Sequence, residues 1–204
     1  MCDAGEIDLT SAEDTSPVAT ASSSESEKYS PLNAIDGYES TRWSSAFADN
    51  QWLTISLSQP YLITSVHVLW EEAKPQSYMI LTRATSAATE EEEVEEEVDS
   101  SRRALKKKDK DQPAPAAADT EESSEDAVDD SAGFVDALSA PETPPTTPNT
   151  WHKTLLPDLP AADSVRLDMP KRTSEFGISM YEVKICGLPV QPPPPNSPSP
   201  PPLP

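Results

Sequence analysis

The sequence has few glycines, few histidines and no long apolar run. Its 204 residues include only five glycines and two histidines, His67 and His152. With so few glycines there is no phosphate-cradling loop, and no nucleophile or carboxylate arrangement gathers near either histidine in the sequence. No stretch of 18 apolar residues is present, so we expect no transmembrane segment. We therefore predict a protein that is not an enzyme, with no catalytic residues and no membrane span.

Basic residues are also scarce. Fifteen lysines and arginines stand against 36 aspartates and glutamates, which gives a net charge of -21. A charge of this sign argues against nucleic acid or an anionic lipid surface as the main partner. The first residues lack the basic start and apolar run of a signal peptide, so we expect either a cytoplasmic protein or a fragment of a longer chain.

Proline and acidic residues are abundant, and both are concentrated in particular segments. Ten of the 23 prolines fall between residues 189 and 204, which predicts a polyproline tail over residues 188–204 that acts as a spacer or as a ligand for protein partners. Residues 86–149 contain an acidic, a basic and a second acidic block, and cannot bury enough apolar surface to fold. We predict a disordered insertion there. Within it, residues 102–110 are a candidate nuclear-import signal or anion-binding patch, and residues 128–138 are either a linker or a partner-binding segment.

Alternating apolar and polar residues predict several short strands on either side of the insertion. In Trp52–Leu57, for example, Leu53, Ile55 and Leu57 share one face. The other predicted strands are Tyr61–Trp70, Gln76–Thr82, Val165–Met169 and Ile178–Cys186, with Pro60 separating the first two. Strands of this length without a convincing helix indicate an all-β, antiparallel sandwich. Its core is expected in two pieces, residues 15–85 and 150–188, with residues 1–16 as a separate N-terminal segment.

Residues 33–43 form an oxygen-rich loop. Asp36-Gly37 is a turn dipeptide, and the oxygens of Asp36, Glu39, Ser40 and Thr41 are dense enough to wrap a hard cation. The two cysteines, Cys2 and Cys186, bracket the predicted core. They either form a disulfide that joins its ends, as in secreted sandwiches, or are two unrelated thiols.

Four pieces of the sequence, in order, resemble a known family. They are Ala-Thr-Ala-Ser-Ser-Ser (19–24), Asn-Ala-Ile-Asp-Gly with Thr-Arg-Trp-Ser-Ser (33–45), Asn-Gln-Trp-Leu-Thr-Ile-Ser-Leu (50–57) and Phe-Gly-Ile-Ser-Met-Tyr-Glu-Val-Lys-Ile-Cys-Gly (176–187). Together they resemble the coagulation factor 5/8 type C, or discoidin, domain, and in particular its relatives in carbohydrate-binding module family 32. The resemblance implies an eight-stranded jelly-roll sandwich of galactose-binding-like topology over residues 17–187, interrupted by the insertion.

The resemblance also implies a structural calcium ion. Carried over to this sequence, the side chains of Asp36, Thr41 and Glu182 are the expected ligands, with backbone carbonyls near Asn33 and Tyr38 as additions. Ca²⁺ takes six to eight oxygens and mixes carboxylates with carbonyls, which fits this set. The alternative is a metal-free loop in which Asp36 accepts bonds from turn amides and Glu182 pairs with Arg42.

The family's ligands are held by loops at one end of the sandwich, so the resemblance implies a non-catalytic carbohydrate-binding module with glycans or glycoproteins as partners. Trp43, Trp52, Trp70 and Tyr78 stand at positions that are mostly core in the family. Arg172 can make bidentate contacts to vicinal hydroxyls. The candidate ligand-binding residues lie in the predicted loops: Tyr29, Phe47, Asp49, Asn50, Glu71, Lys74, Arg172 and Phe176.

The tail resembles the hydroxyproline-rich glycoproteins of plant and algal cell walls. It therefore favours an extracellular or cell-wall protein, with wall or matrix glycans as ligands. The alternative is a cytoplasmic interaction domain in which the insertion and the tail recruit protein partners. Phospholipid binding is disfavoured by the net charge of -21.

Overall fold

The computed structural model describes residues 2–84, 133–158 and 160–190. The predictions for the charged blocks, the candidate import signal and the proline-rich tail beyond residue 190 lie outside these ranges. Within them the chain forms nine strands: β1 (Ile7–Asp8), β2 (Val18–Ala21), β3 (Trp43–Ser44), β4 (Gln51–Trp70), β5 (Met79–Arg83), β6 (Val135–Asp136), β7 (Trp151–Leu155), β8 (Ala161–Met169) and β9 (Ser179–Pro189). Three short 3-10 helices, Glu13–Thr15, Glu27–Tyr29 and Pro31–Ala34, complete the described elements.

Strand β4 belongs to both layers of the sandwich. Its first half pairs with β2 and β8, and its second half pairs with β9 and β7, all antiparallel. We predicted two strands separated by Pro60, whereas the structure has one strand with a register shift between Ser56 and Tyr61. Proline lacks an N–H and is tolerated at such irregularities, so it interrupts the pairing without ending the strand.

The two layers enclose one apolar core. The face of β4 that carries Leu53 and Ile55 packs against Ile80 of β5 and Leu167 of β8, each at most 1% exposed. Three of the four predicted core aromatics, Trp43, Trp70 and Tyr78, are fully buried. Trp52 is different, because strand alternation turns it to the opposite face from Leu53, where it is only half-buried. The all-β, antiparallel sandwich predicted from the sequence is confirmed.

The N-terminal residues are part of the sandwich rather than a separate segment. β1 pairs with β9, Leu9 is fully buried, and Cys2 forms a disulfide with Cys186 across a Cα–Cα distance of 5.5 Å. Strand β1 has only two residues, too few to show an alternation of apolar and polar side chains in the sequence. Strand β9 also continues past Gly187, where we expected the fold to end, because residues up to Pro189 pair with β4.

Residues 133–149 are likewise part of the fold, although we placed them in the disordered insertion. β6 pairs with Leu81 and Thr82 of β5, and Tyr78 exchanges backbone hydrogen bonds of 2.9 and 2.8 Å with Glu142. Ala137 and Leu138 pack against the core. These pairings involve one or two residues each, too few to leave a periodic pattern in a proline-rich stretch.

Among the described residues, no helix is long and apolar enough to cross a membrane.

Candidate functional site

Residues 33–43, which we call the Asp36 loop, bring several oxygens to one point. Oδ1 of Asp36 accepts hydrogen bonds from the amide of Tyr38 and the hydroxyl of Thr41, both at 2.9 Å. The same hydroxyl oxygen lies 2.7 Å from Oδ2 of Asp36 and 2.8 Å from the carbonyl oxygen of Tyr38. One hydroxyl hydrogen cannot serve three acceptors, so the cluster holds more oxygens than protons to bridge them.

Glu182 of β9 reaches this loop from the other half of the sequence. Its side chain is 3% exposed, and Oε1 accepts a hydrogen bond of 3.2 Å from the amide of Gly37. Oε2 has no hydrogen-bond partner among the described residues. Burial raises the pKa of Glu182 to about 7 and the nearby Asp36 carboxylate adds to the increase, while the Gly37 hydrogen bond opposes it.

Of the two contacts expected for a metal-free loop, the structure contains one. Asp36 accepts from a turn amide, as that alternative requires, but no ion pair joins Glu182 to Arg42 among the described residues. Arg42 instead donates to Ser44 and lies 4.6 Å from the ring centroid of Tyr29. Asn33 donates from its side chain to the carbonyls of Lys28 and Arg42, which ties the two ends of the loop together.

A cleft of about 500 Å³ opens beside the start of β9. We call it the loop-end cleft. Phe47 and Phe176 lie at its edge, each 56% exposed, with their rings in an edge-to-face contact at 6.3 Å. Its polar lining consists of three carboxylates, one guanidinium and three hydroxyls, from Glu25, Glu71, Glu72, Arg42, Ser44, Ser174 and Ser179.

The local sequence explains how the cleft is held open. Gly177 packs so tightly that a Cβ there would lie 2.1 Å from the carbonyl oxygen of Ser45, so only glycine allows this approach. The hydroxyls of Ser44 and Ser179 lie 2.5 Å apart on neighbouring strands. Because Gly177 follows Phe176 directly, this close approach constrains the backbone that carries the Phe176 ring.

Three of the eight predicted ligand-binding residues line the loop-end cleft and five do not. Phe47, Glu71 and Phe176 line the loop-end cleft. Tyr29 does not line the cleft, but its ring contacts the guanidinium of Arg42, which does. Asn50, with a left-handed φ of 59°, lines a separate cavity.

The remaining predicted residues hold loops together. Arg172 pairs with Asp49 at 3.1 Å and donates to the carbonyls of Glu175 and Phe176, and its hydrogen bonds to Asp49 lower the pKa of that carboxyl. Lys74 donates to the carbonyls of Pro145 and Thr146. Arg172 is therefore already engaged rather than free to grip a sugar.

Sequence reasoning missed several residues of the cleft, including Glu25, Arg42 and Ser179. Arg42 directly precedes the buried Trp43 inside the motif that carries the family resemblance, and alternation places it on the opposite side from that core residue. That signal could have identified it. Glu25 stands in a serine-rich turn without any periodic pattern, so nothing in the sequence pointed to it.

Comparison with known proteins supports the fold. A family model described as the F5/8 type C domain matches residues 18–115. The solved chitosan-binding module 1 of a chitosanase/glucanase from Paenibacillus sp. IK-5 is 21% identical, with a TM-score of 0.55, covering 88% of this chain and 98% of the module. Module 2 of the same enzyme, solved with chitotriose, is 19% identical with a TM-score of 0.53 and coverages of 84% and 97%.

A third similar structure is the family 32 module of NanJ from C. perfringens, solved in complex with galactose. It is 15% identical, with a TM-score of 0.56, and the match covers 89% of this chain and 98% of that module. At these identities the structures establish the fold alone. No curated protein sequence matches the chain significantly.

Proposed function

We propose that this chain, an F5/8 type C domain with the sandwich fold of family 32 carbohydrate-binding modules, binds glycans without catalysing their conversion. The observation that carries the proposal is the loop-end cleft, in which two exposed aromatic side chains lie beside three carboxylates and a guanidinium. Sugar sites need this combination, because a pyranose ring has an apolar C–H face and an edge of hydroxyls.

Each part of the cleft has a role in this proposal. Phe47 and Phe176 present ring surface to the C–H face of a sugar, and burial of that surface supplies affinity. Glu25 and Glu72 accept hydrogen bonds from sugar hydroxyls, and Arg42, steadied by Tyr29, donates them. Glu71 already accepts a bond of 2.7 Å from the amide of Ala73, which fixes its carboxylate at the cleft wall.

The charge of the cleft narrows the class of sugar. Its lining contains three carboxylates and one guanidinium, so an acidic sugar would meet net repulsion. Neutral and amino sugars suit it better. The similar modules that were solved with chitotriose and with galactose carry ligands of these two kinds, which supports the choice of probes.

Binding of galactose and chitotriose, measured by titration calorimetry in calcium-containing buffer, tests the proposal. Phe176→Ala should weaken binding by about tenfold or more through loss of the stacking surface. Leu155→Ala is the matched control, because Leu155 is also exposed, at 63%, and lies outside the cleft. A folded, calcium-loaded protein that bound no sugar on a broad glycan array would contradict glycan binding.

We further propose that the Asp36 loop and Glu182 bind a structural Ca²⁺. Support comes from the excess of oxygens around Thr41 and from Oε2 of Glu182, a buried atom without a partner. The ligands would be the side chains of Asp36, Thr41 and Glu182 and the carbonyl of Tyr38, with Asn33 bracing the loop. Bound calcium would supply positive charge both to the buried Glu182 carboxylate and to the crowded oxygens of the exposed Asp36 loop.

An extracellular or cell-wall location fits this role. The Cys2–Cys186 disulfide supports it, because disulfides persist in oxidising compartments. The alternative, an intracellular interaction domain, depends on the charged blocks of the insertion and on the tail beyond residue 190, which lie outside the described residues. Finding these cysteines reduced in protein isolated from its native source under thiol-trapping conditions would favour that alternative.

A further inference from the structure

A second cavity, of about 320 Å³, shares no lining residue with the loop-end cleft. It lies on the outer face of the sheet formed by β4, β8, β5 and β6. The strand registers place Trp52, Asp168 and Met79 side by side in one row. Their neighbours along the strands, such as Leu53 and Leu167, point into the core, so this row points away from it.

Arg166 is the central polar group of this outer-face cavity. It is 6% exposed, its Nε donates to Oδ1 of Asp168 at 2.6 Å, and its guanidinium carbon lies 4.5 Å from the ring centroid of Trp52. Its Nη1 has no hydrogen-bond partner among the described residues. A buried charged donor that is left unpaired costs free energy, so such groups normally have a partner or a ligand.

On the same face, Thr54 carries a second buried polar atom, Oγ1, that lacks a hydrogen-bond partner among the described residues. Thr54 lies opposite Arg166 in the β4–β8 register and is 2% exposed. Arg166 lines the cavity and Thr54 does not, so the unpaired guanidinium donor is the group that favours an incoming hydrogen-bond acceptor. A ligand hydroxyl is such an acceptor.

The rest of the cavity fits a sugar ring. Asp136, which is exposed, and Asp168 present carboxylate oxygens that accept from hydroxyls, while Met79 and Leu81 offer apolar surface. The two carboxylates outnumber Arg166 among the charged lining residues, so an anionic ligand is disfavoured. The volume is at the low end for ligand pockets, which suits one sugar residue rather than a long chain.

We propose that the outer-face cavity is a second saccharide-binding site, which takes one neutral sugar residue through Arg166, Asp168, Asp136 and the apolar surface around Trp52. This site is independent of the loop-end cleft. A module with both sites would bind two sugar residues on separate faces and would thereby cross-link glycans or gain avidity on a dense glycan surface.

NMR titration of the ¹⁵N-labelled full chain with methyl β-galactoside and methyl β-glucoside tests the proposal. The indole N–H signal of Trp52 should shift, and Asp136→Ala should weaken the affinity measured from that shift about tenfold. Asp136 is suitable because it is exposed, whereas replacing the buried Arg166 risks unfolding. Asp158→Ala, at an exposed carboxylate outside both cavities, should leave the affinity unchanged.

The two sites can be separated in the same experiment. Phe176→Ala should weaken binding at the loop-end cleft and leave the Trp52 titration unaltered. Shifts confined to residues of the loop-end cleft, or an unchanged Trp52 affinity in Asp136→Ala, would overturn the second site while leaving the proposed function intact. A Trp52 shift produced by methyl glucuronoside but by neither neutral glycoside would also overturn it, by showing an anion site instead.

Discussion

The amide of Gly37 donates a hydrogen bond of 3.2 Å to Oε1 of Glu182, 145 residues further along the sequence. This contact joins the Asp36 loop, which precedes the insertion, to the last strand, which follows it. The Cys2–Cys186 disulfide makes a second link to the same strand. A hydrogen bond and a disulfide therefore both connect β9 to residues that precede the insertion.

Calcium should stabilise the protein through the first of these links. We expect the melting temperature to rise on addition of Ca²⁺ and to fall with a chelator, because a ligand that binds only the folded state stabilises it. Glu182→Gln should abolish the increase, since an amide carries no charge to hold the ion. Differential scanning fluorimetry measures both effects. Glu27→Gln, in an exposed 3-10 helix, should respond to calcium like the wild type, and a calcium response that survived in Glu182→Gln would contradict the assignment.

The raised pKa of Glu182 predicts an unusual pH dependence of the metal-free protein. The folded-state pKa of Glu182 is about 7, against an ordinary glutamate pKa of 4.5, so the folded state binds a proton more tightly than the unfolded state does. This contribution to stability is fully present below about pH 4.5 and is lost as the pH rises through about 7. Because one pKa unit corresponds to about 1.4 kcal/mol, the change amounts to about 3 kcal/mol.

The comparison of wild type with Glu182→Gln isolates this effect. His67 opposes it, because burial lowers the pKa of that imidazole and the folded state then resists its protonation at acidic pH. Both proteins share that contribution, so it cancels in the difference between their free energies of unfolding. Urea denaturation at several pH values in chelator should show the difference changing between pH 4.5 and 7, and a constant difference would refute the assignment of the raised pKa.

Reduction of the disulfide should destabilise the sandwich. Cys2 and Cys186 are 184 residues apart, and removing a native bridge from a small domain costs about 2 to 5 kcal/mol. Guanidinium denaturation with and without a thiol reductant measures the loss. Cys2→Ser should be as unstable as the reduced wild type and indifferent to the reductant, and equal stability of the oxidised and reduced wild type would show that the bridge contributes nothing.

The sequence predicted long strands and the family motif better than it predicted short pairings and cavities. Alternation over β4, β8 and β9 located the core because many buried side chains share one period. The pairs made by Ile7–Asp8 and Val135–Asp136 involve two residues each and left no pattern. Phe47 and Phe176 could be chosen as candidates because they lie in predicted loops. The pairing of Arg172 with Asp49 depends on which loops converge in space, and the sequence alone does not show that.

Gly177 offers a test of how backbone packing positions the cleft. A methyl group at this position would begin 2.1 Å from the carbonyl oxygen of Ser45, so Gly177→Ala must displace one of the two backbones. We expect a loss of stability of about 1 to 3 kcal/mol, as for other overpacked sites, together with weaker sugar binding because Phe176 moves with its neighbour. Denaturation and calorimetry measure the two effects. Gly5→Ala is the control for a lost glycine, since no atom lies within 4 Å of its added Cβ and only its positive φ is strained. Gly177→Ala with wild-type affinity for galactose and chitotriose would show that the cleft does not depend on this contact.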